Sequence, residues 1–289
     1  MSGSLVVGDW GGSRLRLWRI EAGRIADRRE GPGILAASPP AQSLASALGD
    51  WTDVRIVLGG MAGAREGLHE APYLACPVSS AEWRERTSDH DFRGSRLRIA
   101  AGLSCRDAAG RADVMRGEEC QIFGAMALDP GLATGRHLVL LPGTHSKWAW
   151  LEDGFIARFR TCMTGELFAL LGRSSLFSAA QAEGDDAEGF AAGLDRADAH
   201  ETLSCALFEA RAAQLADGRS AGWARGFVSG LLIGAEIAEV DPAGPVVTIA
   251  DPALAARYEA ALARRAVPMR RLDGETCAIA GLRLLDAHD

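Results

Sequence analysis

Two glycine-rich turns, each followed by a hydroxyl residue, are the first features of this sequence that could bind an anion. Residues 11–13 read Gly-Gly-Ser just after Asp9, and residues 143–144 read Gly-Thr after the apolar run 138–141. Glycine lets backbone N–H groups turn toward an anion, and a neighbouring hydroxyl adds a donor. The two turns therefore suit phosphate, although ordinary hairpins also use such turns.

Asp9 ends the first apolar stretch, directly before the Gly-Gly-Ser turn. A carboxylate in this place suits a phosphate-bound Mg²⁺ ion, usually held through water. An Asx-type turn at the end of a strand explains the same residue equally well. The residue alone leaves both interpretations open.

Residues 115–119, Met-Arg-Gly-Glu-Glu, combine a cation and two carboxylates where a helix is predicted to begin. Glu118 or Glu119 could be a general base for a substrate hydroxyl, and Arg116 could bind a carboxylate with two parallel hydrogen bonds. The simpler interpretation is that the glutamates stabilise the helix N-terminus and that Arg116 pairs with one of them.

The elements that must position these residues contain an internal repeat. Residues 138–157 read as strand, turn, strand, turn, strand, with Asp-Gly as the hairpin signal. A shift of 131 residues, from Gly12 to Gly143, aligns Arg16 with Lys147 and 21–23 with 152–154 without a gap. We therefore predict two copies of one hairpin unit, each with its glycine turn.

The hydrophobic pattern also predicts the remaining elements. Residues 59–63 follow a predicted strand, where open α/β sheets place ligands, and small residues four apart in 227–236 favour close helix packing. Residues 71–95 give no clear element. Strands are predicted at 54–58, 97–101 and 246–250, and helices at 41–48, from 118 onward, at 163–171, 188–194, 199–215, 227–240, 253–265 and 275–285.

Composition narrows the class of protein. A chain of 289 residues can form two domains, and a net charge of −7 disfavours a nucleic-acid partner. The apolar run 227–240 contains Glu236 and is too short to span a membrane, and no signal-peptide pattern opens the chain. Six scattered cysteines without a CxxC motif favour reduced thiols in the cytoplasm, and dispersed histidines disfavour zinc.

Taken together, these motifs resemble the 2-dehydro-3-deoxygalactonokinase family of the actin/hexokinase/sugar-kinase superfamily. The three motifs MRGEE, PGTH and MTGEL are more specific in combination than any glycine-rich loop. The resemblance covers essentially the whole chain. The matching pieces are residues 9–11, 61–63, 114–119, 142–145, 147–148, 160–161, 163–167 and 229–236.

The resemblance implies an α/β fold of two ribonuclease-H-like domains of the actin/hexokinase type, with a cleft between them. We expect an N-terminal domain for substrate and phosphate at 1–134, completed by a C-terminal helix at 274–289, and a nucleotide-side domain at 135–273. The implied reaction is ATP-dependent phosphorylation of the 6-hydroxyl of 2-dehydro-3-deoxy-D-galactonate in galactonate and galactose catabolism, with Mg²⁺.

Site residues follow from the motifs and the resemblance. Related kinases favour Glu118 as the base, and Lys147 could neutralise phosphate charge or, as a strand lysine, simply be solvated. The predicted catalytic residues are Glu118, Asp9 and Glu119, with Asp9 also the metal ligand. The predicted nucleotide-binding residues are Gly11, Gly12, Ser13, Gly143, Thr144, His145 and Lys147. The predicted substrate-binding residues are Arg116, Met61, Gly63, Arg65, Arg160 and Thr164.

One departure from the family pattern is Asp251-Pro252, where a Gly-Thr pair is expected to contact adenosine. Proline lacks a backbone donor and aspartate repels phosphate, so this departure predicts a weaker nucleotide contact.

Other functions stay open. They are a kinase for another 2-keto-3-deoxy sugar acid, a phosphatase of the same superfamily acting on polyphosphate or guanosine phosphates, and a nucleotide- or sugar-sensing regulator. A phosphatase would need a water-positioning acid in place of a sugar pocket. Related repressors begin with a DNA-binding helix pair, whereas a strand begins here by Leu5. The expected partners are a sugar acid and ATP, without nucleic acid or membrane, and a homo-oligomer is compatible with the sequence.

Overall fold

A computed structural model describes residues 4–37, 39–173, 186–199 and 202–286. The chain divides into two compact units, the first formed by 1–139, 149–160 and 272–289 and the second by 140–148 and 161–271. The predicted domain boundaries stay a prediction. Residues 180–185 and 200–201 of the predicted helical region, and 287–289 of the predicted last helix, lie outside the described residues.

The helices and strands alternate along the chain. The first half contains β1 (Leu5–Trp10), β2 (Arg14–Glu21), β3 (Arg24–Pro32), α1 (Pro40–Leu48), β4 (Arg55–Gly60), β5 (Tyr73–Ala75), β6 (Val78–Ser79), α2 (Ser80–Glu85), β7 (Ser88–Phe92), β8 (Ser95–Ile99), β9 (Gly102–Arg106), β10 (Ala112–Met115) and α3 (Glu118–Leu128). The second half contains β11 (Arg136–Leu141), β12 (Ser146–Glu152), β13 (Phe155–Cys162), α4 (Thr164–Gly172), α5 (Asp186–Ala197), α6 (Leu203–Ala216), α7 (Ala221–Val240), β14 (Val246–Ala250), α8 (Pro252–Arg264), β15 (Met269–Asp273) and α9 (Gly274–Asp286).

The first sheet has the order β3-β2-β1-β4-β8-β7. Strand β1 is antiparallel to β2 and parallel to β4, so its carboxyl end and that of β4 lie at the same edge. One face of this sheet is buried by side chains such as Val6, Leu17 and Ile56. Helices α3 and α9 pack on each other, and α9 also packs on β1 and β4.

The predicted repeat is confirmed by the strands themselves. Strand β11 lies 131 residues after β1, and β12 and β13 follow β2 and β3 at the same spacing. The hairpin turns also match, because Ala22-Gly23 and Asp153-Gly154 all have positive φ. The sheet order β15-β14-β11-β12-β13-β6 repeats the order of the first sheet around β1. Each half therefore contains the ribonuclease-H-like arrangement.

Glycines set the packing of α5 against α7 in the second unit. A Cβ added to Gly193 would lie 2.0 Å from the carbonyl oxygen of Phe227, and one added to Gly230 would lie 2.1 Å from that of Phe190. The two helix backbones approach so closely that only glycine fits at these positions. The small residues four apart in α7 thus do pack closely, as predicted.

Two further observations concern the chain as a whole. All six cysteines are free thiols. Among the described residues, every helix is too short or too polar to cross a lipid bilayer.

Candidate active site

Asp9 lies at the carboxyl end of β1, where three chain segments of the first unit meet. Its Oδ2 atom is 2.5 Å from Nη2 of Arg16, the residue that faces it across the β1–β2 pair. Its Oδ1 atom would lie 3.2 Å from a Cβ on Gly60 and 4.0 Å from a Cβ on Gly117. Both glycines have positive φ. The structure therefore brings Asp9 together with the start of α3.

The first glycine turn, residues 11–13, is braced by the loop that follows β3. The carbonyl oxygens of Gly11 and Gly12 accept hydrogen bonds from the backbone of Ile34 and Leu35 at 3.1 and 3.2 Å. A Cβ on Gly33 would lie only 2.2 Å from the backbone of Ser13, so glycine is required there. The backbone of the turn is thus fixed, while the Ser13 side chain is exposed.

The two glutamates at the start of α3 differ in burial. Glu119 is fully buried, and both of its carboxylate oxygens accept the backbone N–H of Gly117, at 2.8 and 2.7 Å. Burial raises the pKa of Glu119 to about 8, and the negative charge of Glu118 adds to the rise. Glu118 is only half-buried and accepts the backbone N–H of Arg116 at 3.1 Å. Of the two, Glu118 has the surface that a substrate could touch.

Arg116 is held by the segment before and within β5. Its Nη2 donates to the carbonyl oxygen of Ala71 at 2.8 Å, and its Nε donates to the hydroxyl of Tyr73 at 3.3 Å. The guanidinium also lies over the Tyr73 ring, 4.2 Å from the centroid. Its Nη1 is buried without a hydrogen-bond partner, and a Cβ on Gly63 would lie 2.8 Å from it.

The other substrate-binding candidates have different settings. Met61 and Gly63 belong to a short 3-10 turn after β4, where Gly63 is buried and Met61 is half-buried. Arg65 follows this turn and is exposed, as is Arg160 on β13. All four lie in the first unit with Asp9 and α3, whereas Thr164 lies in the second unit.

The second unit contains a cavity of about 400 Å³. Part of its lining is apolar, from Leu232 and Ile233 of α7 and Leu254 of α8. Two guanidinium groups, those of Arg225 and Arg257, also line it. The cavity therefore offers an apolar surface and positive charge in one place.

Gly143, of the second glycine turn, lines this cavity together with Thr164 and Gly165 of α4. A Cβ on Gly165 would lie 2.3 Å from the carbonyl oxygen of Gly143, so the turn packs directly on the start of the helix. The carbonyl oxygen of Thr144 accepts the N–H of Glu166 at 2.9 Å, and His145 Nε2 lies 2.5 Å from Glu166 Oε2. The turn and α4 thus form one wall.

Lys147 and Asp251 take roles that their sequence positions did not suggest. Lys147 is only 4% exposed and its Nζ approaches the carbonyl oxygen of His145 at 3.5 Å, so the interpretation as a solvated strand lysine is wrong. Asp251 caps α8 by accepting the N–H groups of Ala253 and Leu254 at 3.0 and 3.1 Å. Pro252 occupies the first helical position, where a missing N–H costs nothing.

Several cavity residues were missed by sequence reasoning. Arg225, Ser229 and Arg257 come from two helices, and Glu236 lies buried behind the cavity wall. The available signal was Ser229 and Glu236, two polar residues within an otherwise apolar helix. The arginines carried no comparable signal, because surface helices commonly contain them.

This organisation defines a class of protein. An α/β chain in which a ribonuclease-H-like sheet occurs twice, with an aspartate at the end of the first strand, has the two-domain fold of the actin/hexokinase-type sugar kinases. The predicted fold class is confirmed.

The particular family follows from comparison with known proteins. Residues 9–285 match the family described as 2-keto-3-deoxy-galactonokinase, and the chain belongs to that family. It is 38% identical over 290 residues to a protein of Rhizobium meliloti (strain 1021) named probable 2-dehydro-3-deoxygalactonokinase, with 95% of this chain and 94% of that protein covered. It is 34% identical to the 2-dehydro-3-deoxygalactonokinase of Escherichia coli (strain K12), with 100% and 99% covered. The predicted family is confirmed.

A solved structure agrees. A crystal structure from Sinorhizobium meliloti, assigned provisionally as a 2-dehydro-3-deoxygalactonokinase, superposes with a TM-score of 0.90 at 36% identity. The alignment covers 98% of this chain and 95% of that one. The similarity therefore extends over both halves.

Proposed function

We propose that this protein transfers the γ-phosphoryl group of ATP to the 6-hydroxyl of 2-dehydro-3-deoxy-D-galactonate, in the catabolism of galactonate. Membership of the 2-keto-3-deoxy-galactonokinase family supports the reaction class. The observation that carries the proposal is the meeting of Asp9 with the start of α3, which joins two carboxylates of different character at one edge of the first sheet. Phosphoryl transfer depends mainly on positioning and on charge neutralisation, which such a site can provide.

Glu118 is the residue that we propose for the acceptor hydroxyl. Its half-buried carboxylate accepts a hydrogen bond from the 6-hydroxyl and takes the proton as the new O–P bond forms. The bond between the γ-phosphorus and the bridging oxygen breaks in the same step, and ADP leaves. Glu119 supports this arrangement indirectly, because it holds the backbone of Gly117.

Arg116 is the candidate for the carboxylate of the sugar acid. The Tyr73 ring and the Ala71 carbonyl fix the direction of its guanidinium, which reduces the entropy lost on binding. A guanidinium matches a carboxylate with two parallel hydrogen bonds. Arg65, exposed on the loop after Gly63, is the second candidate.

The first unit also fits a Mg²⁺ ion bound to phosphate. Arg16 holds one oxygen of Asp9, while the other faces the open space left by Gly60 and Gly117. Among the described residues, no group of three or more histidine, cysteine or acidic side chains could hold a metal. That suits Mg²⁺, which commonly uses one or two carboxylates with water and substrate phosphate. When bound, the ion supplies charge neutralisation on the transferred phosphate.

The cavity of the second unit is the proposed nucleotide site. Its apolar surface suits an adenine ring, and the N-terminus of α4 beside Gly143 presents backbone N–H groups that suit phosphate oxygens. Thr164, assigned above to the sugar acid, lines this cavity and is better proposed for the nucleotide. Because both substrates belong to central metabolism, we also propose a cytoplasmic location.

A coupled assay of ADP formation tests the proposal. With ATP and Mg²⁺, 2-dehydro-3-deoxygalactonate should give acceptor-dependent turnover, and phosphorus NMR should show a C6 phosphate ester. Parallel reactions with 2-dehydro-3-deoxygluconate and galactonate measure selectivity. Phosphate release without any acceptor would favour a phosphatase. Absence of turnover with every keto-deoxy acid, in protein shown to bind ATP, would refute the kinase.

A further inference from the structure

A buried carboxylate of α7, Glu236, gathers three donors in the second unit. It is 5% exposed. Its Oε1 accepts the indole N–H of Trp148 at 2.7 Å, and its Oε2 accepts the hydroxyl of Tyr258 at 2.9 Å and the hydroxyl of Thr164. A buried carboxylate is tolerated only with such compensation, so the network fixes all four side chains together.

Two of the three donors also line the cavity. Thr164 and Tyr258 contribute to its surface, whereas Glu236 itself does not. The Tyr258 hydroxyl has a further partner in the hydroxyl of Ser146, at 2.9 Å. The network therefore ends at the cavity wall from behind.

Thr164 links this network to the backbone that faces the cavity. It is the first residue of α4, and the next residue, Gly165, packs without spare space on Gly143. Any shift of Thr164 would thus move the N-terminus of α4 and the second glycine turn as one body. In addition, the single hydroxyl proton of Thr164 is donated to Glu236, so toward the cavity this hydroxyl can only accept.

We infer that Glu236 is a positioning residue for the nucleotide. Acting through Thr164, it fixes the part of the cavity wall formed by Gly143 and the start of α4. The inference rests on the proposed function, because it takes this cavity to be the ATP site. A purely structural Glu236 would contribute to stability alone.

The test compares kinetics and stability of Glu236→Gln, which keeps the volume of the side chain but removes its charge and one acceptor. The expected result is a KM and a calorimetric Kd for ATP raised about tenfold or more, with the KM for the sugar acid changed by less than about twofold. Thr164→Val should weaken ATP binding similarly, and Thr164→Ser, which keeps the hydroxyl, should restore it.

A double-mutant cycle shows whether Glu236 acts through Thr164. If it does, the variant that combines Glu236→Gln with Thr164→Val should bind ATP no more weakly than the weaker single variant, so that the effects are not additive. Additive effects would overturn the inference.

Trp83→Phe is the control for loss of stability. It deletes the same kind of bond, an indole N–H donated to a buried acceptor, here the carbonyl oxygen of Ala101 at 2.8 Å in the first unit. This variant should melt at a lower temperature and keep a normal KM for ATP.

The remaining outcomes also decide. A Glu236→Gln protein that is less stable but binds ATP normally would make Glu236 purely structural. If that variant does not fold, the Thr164→Val and Thr164→Ser pair decides, and normal ATP binding by both overturns the inference. Failure of the wild-type protein to bind ATP would count against the proposed function instead.

Discussion

Arg16 and Asp9 face each other across strands β1 and β2, with Arg16 Nη2 only 2.5 Å from Asp9 Oδ2. Both side chains are partly exposed, so the pair contributes little to stability. Its effect is on direction: one carboxylate oxygen is held by the guanidinium, and the other is turned toward Gly60 and Gly117. Arg16 therefore orients the residue proposed for Mg²⁺.

Replacement of Asp9 by Asn should lower kcat by about a hundredfold or more and leave the fold intact, because charge neutralisation of the phosphate is lost. The measurement is kcat across a Mg²⁺ titration, with circular dichroism for the fold. Arg16→Gln, which keeps the carboxylate, should lose less activity. Normal turnover of Asp9→Asn at saturating Mg²⁺ would contradict the assignment.

Replacement of Glu118 by Gln should lower kcat by roughly 10² or more, with little change in KM, because a general base acts in the transition state rather than in binding. Steady-state kinetics with each substrate varied in turn would measure both constants. If Glu119→Gln is the inactive variant and folds normally, then Glu119 is the base.

The pH dependence of stability should identify Glu119 as a buried, protonated acid. Its pKa is raised to about 8 from an ordinary value of 4.5, so the native state holds a proton that the unfolded chain releases. The stability from this group is therefore fully present below the ordinary pKa and is lost as the pH rises toward the raised one, by up to about 1.4 kcal/mol per pH unit.

Urea denaturation of the wild type and of Glu119→Gln at several pH values between these limits would measure the effect. The free energy of unfolding of the wild type should fall relative to that of the variant as the pH rises. Parallel curves for the two proteins would show that Glu119 is ionised in the native state.

Replacement of Arg116 by Ala should raise the KM for the sugar acid by the equivalent of about 1.5–3 kcal/mol, the range for a hydrogen bond to a charged group. The KM for ATP should stay nearly constant. Arg111→Ala, which removes an exposed arginine paired with Asp107, is the matched control and should change neither constant. Equal effects of Arg116→Ala on both substrates would argue against a carboxylate contact.

The packing of α5 on α7 predicts that Gly193→Ala destabilises the protein. A methyl group there would lie 2.0 Å from the carbonyl oxygen of Phe227, so the helices must separate, at a cost of about 2 kcal/mol or more. Gly172→Ala, where nothing lies within 4 Å, should be neutral or stabilising. Thermal melts of both variants would decide, and equal melting temperatures would contradict the packing argument.

The repeated hairpins could be predicted because their signals are local. The Ala22-Gly23 and Asp153-Gly154 pairs both adopt the positive φ that such turns require, and alternating apolar residues flank them. Strand β15 could not be predicted, because three of its five residues are charged and it lies at the edge of its sheet, where little burial is needed. The short strands β5, β6, β9 and β10 lacked a long enough alternation.

The site was predictable only where its residues are neighbours in sequence. The Met-Arg-Gly-Glu-Glu run could be located, but the partners of Arg116 could not, since Ala71 and Tyr73 lie more than forty residues away. The burial of Lys147 was also out of reach, because a strand pattern does not show which face other elements will cover. The cavity of the second unit depends on helices that meet only in the folded chain.

The last described helix, α9, belongs to the first unit, and glycines lock it to α3: a Cβ on Gly281 would lie 1.8 Å from the carbonyl oxygen of Cys120, and one on Gly124 would lie 1.9 Å from that of Cys277. During synthesis, α3 leaves the ribosome some hundred and fifty residues before its partner helix does. The first unit must therefore wait, with the surface that α9 will cover still open, until the second unit has been translated. A ribosome that stalls within the second unit would leave a nascent chain whose proposed acceptor site has no supporting helix, which makes this interval the natural point for a chaperone to act.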